Sequence, residues 1–92
     1  MLEIVPTTRF KRDLKRCGKQ GKEIDKIEWI VNEIQQLNEL PISNKDHPLT
    51  GNWSGFRECH IEPDWLLIYH VDKDKNLLHL TRTGSHANLF DQ

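Results

Sequence analysis

The chain has few of the features that mark secreted, disulfide-rich or membrane proteins. Its two cysteines, Cys17 and Cys59, lie far apart and form no CxxC pair, so they predict neither a disulfide framework nor a cysteine metal site. No apolar run approaches the roughly 20 residues that cross a membrane. The first residues, MLEI, do not begin a basic and then apolar secretory signal. We therefore expect a protein of the reducing cytoplasm.

Strong net charge is also missing. The 92 residues carry a formal charge of -1 at pH 7, and the pI is near 6.5. The charge is nevertheless uneven, because residues 9–22 contain seven Lys or Arg and a single acid, Asp13. Such a basic stripe can hold phosphate groups or can be a solvated helix face, and the sequence leaves both open. The length allows one domain, residues 1–92.

Apolar periodicity and turn residues predict an α+β fold with the element order β-α-α-β-β-β. Phe10, Leu14 and Cys17 recur at helical spacing after a capping Thr7 or Thr8. The predicted elements are a strand over 2–5, helices over about 8–18 and 22–40, strands over 56–62, 65–71 and 77–83, and a final short turn or helix over 85–90. We expect the helices to form a hairpin packed on one face of a small antiparallel sheet.

The predicted strands differ in how they are covered. Residues 56–62 alternate, which puts one set of side chains on each face: Arg57, Cys59 and Ile61 against Phe56, Glu58 and His60. Residues 65–71 are nearly all apolar, which is typical of a central strand buried on both faces.

Three histidines and a carboxylate lie at predicted loops and strand ends: His47, His60, Asp64 and His86. Imidazole has an ordinary pKa of about 6.5 and can give and take a proton near neutral pH, so this set indicates proton-transfer chemistry. The same side chains could offer three nitrogens and one oxygen to zinc, although no HxH, HExxH or CxxC spacing supports a metal site. His70 and His79, within predicted strands, are interpreted as structural.

Several motifs resemble those of one protein family. They are Asp46-His47-Pro48-Leu49, Gly51-x-Trp53-x-Gly55, Arg57, His60-Ile61-Glu62-Pro63-Asp64-Trp65, Ile68-Tyr69, and Arg82-Thr83-Gly84-Ser85-His86 with Leu89-Phe90. In this order, after two predicted helices, they resemble the YafQ-type toxins of the RelE/ParE superfamily over essentially the whole chain. The resemblance implies the superfamily's α+β fold and an endoribonuclease that cuts messenger RNA on the translating ribosome.

The resemblance also implies a partner and a set of catalytic residues, and it implies no cofactor. The toxin would be a monomer held inactive by a cognate antitoxin in a hetero-oligomeric complex, and it would meet mRNA in the ribosomal A site. The implied catalytic residues are His47, His60, Asp64 and His86, supported by the aromatic residues Trp65 and Phe90. Many toxins of the superfamily are more basic than this chain, so we expect its affinity to depend on the basic stripe and on the ribosome.

Metal-free cleavage of RNA needs a base for the 2'-hydroxyl, a cation for the phosphorane and an acid for the leaving 5'-oxygen. We expect His86 to be the general acid, because it follows a strand and a glycine at the rim. His60 is expected to be held by Asp64, four residues further on. His47 would complete the base side or bind phosphate.

Four residues are predicted to bind substrate: Lys45, Trp65, Arg82 and Phe90. Either cation could neutralise the phosphorane, and either aromatic ring could stack on a base, although Trp65 beside an apolar strand could equally belong to the core. The basic stripe is the predicted contact for both antitoxin and ribosomal RNA. The alternative function is that of a ParE-like toxin, which shares the fold and inhibits a protein such as gyrase without cutting RNA.

Overall fold

The computed structural model describes residues 1–90, so the last two residues of the predicted domain, 91 and 92, lie outside the described part. The elements are β1 (Glu3–Pro6), α1 (Thr8–Lys19), α2 (Ile24–Gln35), β2 (His47–Pro48), β3 (Arg57–Glu62), β4 (Trp65–Asp72), β5 (Leu77–Gly84) and α3 (His86–Phe90). The predicted α+β class is confirmed, and the two-residue β2 is an addition to it. No helix within residues 1–90 is long and apolar enough to cross a membrane.

The five strands form one sheet in the order β1-β5-β4-β3-β2. Neighbours from β5 to β2 are antiparallel, whereas β1 runs parallel to β5, with Glu3 beside Leu77 and Pro6 beside Leu80. The sheet is therefore mixed, where an antiparallel one was predicted. Alternation along a strand reports the face that each side chain takes, but not the direction of the neighbouring strand.

The start of α1 is capped as the sequence predicts. The Thr7 hydroxyl oxygen accepts a hydrogen bond from the Phe10 N–H at 2.9 Å, which satisfies one of the free donors of the first turn. The same hydroxyl donates to the Thr81 carbonyl of β5 at 2.9 Å. The cap therefore also holds the helix on the sheet.

The end of α2 lies five residues before the predicted Leu40, since the helix stops at Gln35. Leu37 adopts the left-handed conformation, with φ of 62°. The N–H groups of Leu37 and Asn38 donate to the carbonyls of Ile34 and Glu33. This is a Schellman ending, and it satisfies the last carbonyls without glycine or proline.

Apolar side chains cover both faces of the sheet. The larger cluster lies under the helices and includes Phe10, Cys17, Ile27, Ile30, Cys59, Ile61, Trp65, Leu67 and Tyr69. A smaller cluster on the opposite face consists of Leu66, Ile68 and Leu89, with Leu49, Trp53, Phe56 and Phe90 packed against it. The predicted alternation of β3 and the double burial of β4 are both confirmed. The smaller cluster supports the elements that carry the predicted site.

Candidate active site

A short turn holds His86 at the end of β5. Gly84 has φ of 153°, and a Cβ there would come within 2.7 Å of the Arg16 guanidinium and 3.2 Å of Asn88, so the turn requires glycine. The Ser85 N–H donates to the Asn88 side chain at 3.2 Å, and the Asn88 N–H donates to the Ser85 hydroxyl at 3.1 Å. These contacts therefore hold the backbone of His86, the first residue of α3, in one position.

One oxygen of Asp64 contacts two atoms of His86. Its Oδ1 accepts the backbone N–H of His86 at 3.0 Å and lies 2.8 Å from the ring Nδ1. The predicted pairing of Asp64 with His60 is therefore wrong. The contact depends on the sheet, because Leu66, two residues after Asp64, pairs with Gly84 of β5. That pairing brings Asp64 beside the turn that carries His86.

These contacts favour the ionised form of Asp64 and one tautomer of His86. The backbone N–H of His86, and then its ring, lower the pKa of Asp64 below the ordinary value, because both favour the carboxylate. A carboxylate at Nδ1 keeps a proton on that nitrogen and stabilises the imidazolium. The His86 side chain is 43% exposed, so its Nε2 remains accessible to a substrate.

Glu58 of β3 is a site residue that the sequence analysis did not assign. Its side chain is 7% exposed, and Oε1 lies 3.6 Å from Nε2 of His47 and 3.5 Å from Nε2 of His60. Strand alternation puts Glu58 on the face of His60, and His47 pairs with Glu58 in the sheet. An acid on the histidine side of β3 was the signal that could have identified it.

Both histidines beside Glu58 have an acceptor near each ring nitrogen. Nδ1 of His47 lies 2.7 Å from the Lys45 carbonyl, and Nδ1 of His60 lies 3.2 Å from the Pro63 carbonyl. The carbonyls hold the proton on Nδ1, so Nε2 is the nitrogen that can gain or lose one. Once Nε2 is protonated, the Glu58 carboxylate faces the new positive charge.

His60 and His86 come together at the same end of the sheet, on either side of Leu66 at the start of β4. Their ring centroids are 5.8 Å apart, close enough for both rings to contact one phosphate. The Phe90 ring lies 6.3 Å from the His86 ring and packs edge-on against Trp53 at 5.9 Å. Phe90 is thus beside the histidines, where a stacking residue was predicted.

A cleft of about 360 Å³ opens next to His60, and its lining includes Ser43, Lys45, Glu62 and Pro63. Lys45 is exposed and has the left-handed backbone conformation, with φ of 49°. The Asn44 side chain donates to the His60 carbonyl at 2.8 Å, which joins this loop to β3. The loop therefore brings a cation to the cleft, and the contact of Lys45 with substrate stays a prediction.

Trp65 is not available as a stacking surface. Its side chain is fully buried, and its Nε1–H donates to the Thr83 hydroxyl at 3.0 Å. The amine of Lys22 lies 5.5 Å from the centre of the ring. The prediction that Trp65 binds substrate is wrong, and the core alternative is correct, because Trp65 opens the doubly covered strand β4.

Arg82 is also unavailable to a phosphate. Its Nε donates to Asp13 at 2.6 Å and a second guanidinium nitrogen donates to the same carboxylate at 3.2 Å. Both side chains are buried between α1 and β5. The predicted substrate contact of Arg82 is therefore wrong, since the only acid of the basic stripe already neutralises it.

Three side chains converge closely enough to hold a metal ion. One ligand atom from each of Glu58, His60 and His86 lies within 4.8 Å of the others. Two nitrogens and one carboxylate oxygen are a donor set that zinc and copper accept. This set differs from the zinc ligands considered from the sequence. Asp64 is hydrogen-bonded to Nδ1 of His86, and Glu58 supplies the carboxylate instead.

Known proteins resemble the chain along nearly its whole length. Residues 2–91 match the family model described as the bacterial toxin of type II toxin-antitoxin system, YafQ. The mRNA interferase toxin YafQ of Escherichia coli K12 is 43% identical over 89 residues, which cover 96% of this chain and 95% of the relative. Similar solved structures include a metal-bound toxin from Helicobacter pylori, with a TM-score of 0.93, 41% identity and coverage of 98% and 100% of the two chains. The Escherichia coli DinJ-YafQ toxin-antitoxin complex gives a TM-score of 0.87 at 38% identity, over 97% of both chains.

Proposed function

The chain belongs to the YafQ family of bacterial type II toxins, and we propose that it is a metal-independent endoribonuclease that cleaves messenger RNA on the translating ribosome. One observation carries the mechanism: His60 and His86 lie with ring centroids 5.8 Å apart, and each ring is beside a carboxylate. Two titrating groups that reach one phosphate are what acid-base cleavage needs. The Escherichia coli relative is itself named an mRNA interferase.

His86 acts as the general acid. Its Nδ1 is bound to Asp64 at 2.8 Å, so a proton on Nε2 is the one that can leave. That proton goes to the departing 5'-oxygen as the bond between phosphorus and this oxygen breaks. Asp64 stabilises the imidazolium until the transfer and does not itself give up a proton.

His60 acts as the general base, and Glu58 supports it. The Pro63 carbonyl keeps the proton of a neutral His60 on Nδ1, which leaves the Nε2 lone pair to accept the proton of the 2'-hydroxyl. The 2'-oxygen then bonds to phosphorus and forms a 2',3'-cyclic phosphate. Glu58, 3.5 Å from Nε2, stabilises the imidazolium that results.

Lys45 and His47 are the groups that stabilise the phosphorane. His47 lies on β2 with its Nε2 3.6 Å from Glu58, and Lys45 is exposed two residues earlier. The half-buried Phe90 ring beside His86 offers a face to a base. The cleft next to His60 supplies room for the neighbouring nucleotide.

The partner of the toxin is a cognate antitoxin. The Escherichia coli relative forms a toxin-antitoxin complex with DinJ, and this chain likewise acts as a monomeric toxin within a hetero-oligomeric complex. The toxin acts in the cytoplasm, where ribosomes translate mRNA. Both cysteines of the chain are free and buried, which is compatible with a reducing compartment.

Cleavage on ribosomes that translate a defined message, mapped by primer extension, tests the proposal. His86→Ala and His60→Ala should each lower the rate by about 10²- to 10⁴-fold, because each removes a proton-transfer group. His79→Ala is the matched control, since His79 stacks on His70 outside the site. At high enzyme concentration, a sensitive free RNA should be cut in excess EDTA and should yield cyclic phosphate ends. Full activity of His86→Ala would contradict the acid assignment.

The ParE-like alternative predicts a different result in the same preparations. The folded chain would then leave the message intact on ribosomes and inhibit DNA supercoiling by gyrase. Two histidines that converge on one site have no evident use in that function.

We propose that the same cluster also binds a metal ion, and that the bound ion inhibits cleavage of RNA. The similar Helicobacter pylori toxin is described as metal-bound, and here Glu58, His60 and His86 form a three-ligand set. A bound ion would occupy the nitrogens that must move protons. Zinc should therefore slow cleavage of free RNA and bind in calorimetry, and Glu58→Gln should weaken that binding. Stimulation by zinc would contradict both the inhibition and the metal-free mechanism.

A further inference from the structure

The strand that carries His47 is weakly attached by its own backbone. β2 consists of two residues at the edge of the sheet, His47 and Pro48. Proline has no N–H to donate to the neighbouring strand. To hold the His47 ring in a fixed position beside Glu58, this segment therefore needs another attachment.

Asp46 supplies that attachment. Its carboxylate accepts a hydrogen bond from the Tyr69 hydroxyl at 2.6 Å, and the Arg57 guanidinium donates to both of its oxygens at 3.3 and 3.2 Å. Arg57 and Tyr69 are paired across β3 and β4. Three hydrogen bonds thus tie the residue before His47 to two inner strands.

The tie reaches the opposite face of the sheet from the histidines. Tyr69 belongs to the cluster under the helices, whereas Glu58 and His60 alternate to the other face. Asp46 is therefore fixed on one side while His47, the next residue, is directed to Glu58 on the other. Lys45, on the other side of Asp46, lines the cleft.

We propose that Asp46, held by Tyr69 and Arg57, is the positioning residue of the site, which sets His47 and Lys45 against the substrate phosphate. The inference rests on the proposed ribonuclease function for its kinetic consequence. Asp46, Tyr69 and Arg57, which we call the clamp, act without contact to the reacting atoms. Their loss should therefore change the rate through His47 and Lys45, because a small misplacement of a catalytic group costs up to about 10²-fold.

Tyrosine absorbance tests the clamp without any RNA. Tyr69 is the only tyrosine of the chain, so ionisation near 295 nm reports this residue alone. Burial and the bond to Asp46 raise the pKa of Tyr69 above its ordinary value. Asp46→Asn, which removes the negative charge, should bring the ionisation to lower pH. The same titration curve in both proteins would overturn the contact on which the proposal rests.

A double-mutant cycle tests whether Asp46 acts through its neighbours. In single-turnover cleavage by the toxin on programmed ribosomes, Asp46→Asn should lower the rate about tenfold with little change in the concentration for half-maximal rate. In a chain that already carries His47→Ala and Lys45→Ala, the same change should cost less than about twofold. Equal losses in both backgrounds would overturn the proposal.

Matched variants separate positioning from general damage. Asp72→Asn removes the carboxylate that accepts the Lys75 N–H in a distant hairpin, and it should leave the rate unchanged. Tyr69→Phe keeps the buried ring and removes one hydrogen bond to Asp46, so it should share the loss in rate. An unchanged rate in Tyr69→Phe together with an unchanged rate in Asp46→Asn would overturn the inference. A wild-type chain that cuts no RNA would overturn the proposed function instead, and the tyrosine titration would still report on the clamp.

Discussion

Two carboxylates, those of Asp13 and Glu58, are buried in the described part of the chain, and they have different neighbours. Asp13 accepts hydrogen bonds from the Arg82 guanidinium at 2.6 and 3.2 Å and from the Thr83 N–H at 3.2 Å, with Arg16 at 3.2 Å. Glu58 instead faces two imidazoles at 3.5 and 3.6 Å, beyond ordinary hydrogen-bond length.

The difference separates a structural group from a chemical one. Asp13 meets permanent cations at short distance, so its charge is neutralised and helps to hold α1 on β5. Glu58 meets imidazole rings, which can gain and lose a proton, and its contacts can shorten when a ring becomes protonated. A buried carboxylate with long contacts to titratable partners is typical of an active site rather than of a core.

The largest effect is expected at Asp13. Asp13→Asn leaves the buried Arg82 guanidinium without its counter-charge, and breaking such a pair costs about 3–5 kcal/mol of the free energy of unfolding. Urea denaturation measures the loss, with Asp72→Asn, at the distant hairpin, as the control. A loss below about 1 kcal/mol would place Asp13 with the weakly coupled surface pairs.

Glu58→Gln should lower the rate of cleavage without lowering the stability of the fold. The amide keeps the shape of the side chain but cannot stabilise the imidazolium of His60, so cleavage should fall by roughly 10²-fold. Because a buried charge with no short hydrogen bond is removed, the melting temperature should stay the same or rise. Thermal unfolding beside the ribosome cleavage assay checks both. A large loss of stability would make Glu58 structural, like Asp13.

Asp64 extends the contrast to an exposed carboxylate, 68% exposed as a side chain. Asp64→Asn should slow cleavage about tenfold, less than His86→Ala, because it removes orientation and not the proton donor. The double variant with His86→Ala should match His86→Ala alone, whereas the effect should add to that of His60→Ala. The reverse pattern of coupling would restore the pairing expected from sequence.

The same residue predicts a pH dependence of stability. The hydrogen bonds from His86 lower the pKa of Asp64 in the folded chain. Its contribution is therefore present above the ordinary value of about 3.9 and is lost as pH falls through the lowered value. The melting temperature of wild type should exceed that of Asp64→Asn near neutral pH, and the difference should shrink as the pH falls below about 3.9. A constant difference across that range would contradict the assignment.

The smallest effect is expected on the exposed face of α1. Arg16 is bound to Asp13 and to the Thr83 carbonyl, but Arg12 and Lys15 are exposed. Reversing both to Glu should weaken ribosome association and antitoxin binding by a few-fold each, and raised salt should reduce the difference. Binding titrations at two salt concentrations measure it. Unchanged ribosome binding would leave the stripe as a solvated surface.

Several elements were predictable because their causes are local. The Thr7 cap, the alternation of β3 and the apolar run of β4 depend on residues close in the chain. The early end of α2 was not predictable, since it rests on a leucine in the left-handed conformation at position 37, where glycine is the usual signal. The parallel pairing of β1 with β5 was missed because strand direction has no local signature.

The candidate site divides in the same way. Lys45 and His60 line one cleft, His47 shares Glu58 with His60, and His86 lies beside both His60 and Phe90. The catalytic and binding roles of these residues stay predictions. The errors concern partners: Asp64 contacts His86 rather than His60, Arg82 contacts Asp13, and Trp65 contacts Thr83. Each of these contacts joins residues far apart in sequence, so no motif contains both members.

The sequence by itself determined which side chains can move protons, which segments form strands and helices, and which face of each strand is apolar, because these follow from side-chain chemistry and from the periods of helix and strand. Only the tertiary structure decided which carboxylate serves which histidine. That choice depends on strand order, on register and on the irregularities of pairing between His60 and Glu62 and between Ile68 and Tyr69. A shift of one residue in register would turn Glu58 and His60 to the helix side, and the packing of the whole sheet prevents that shift.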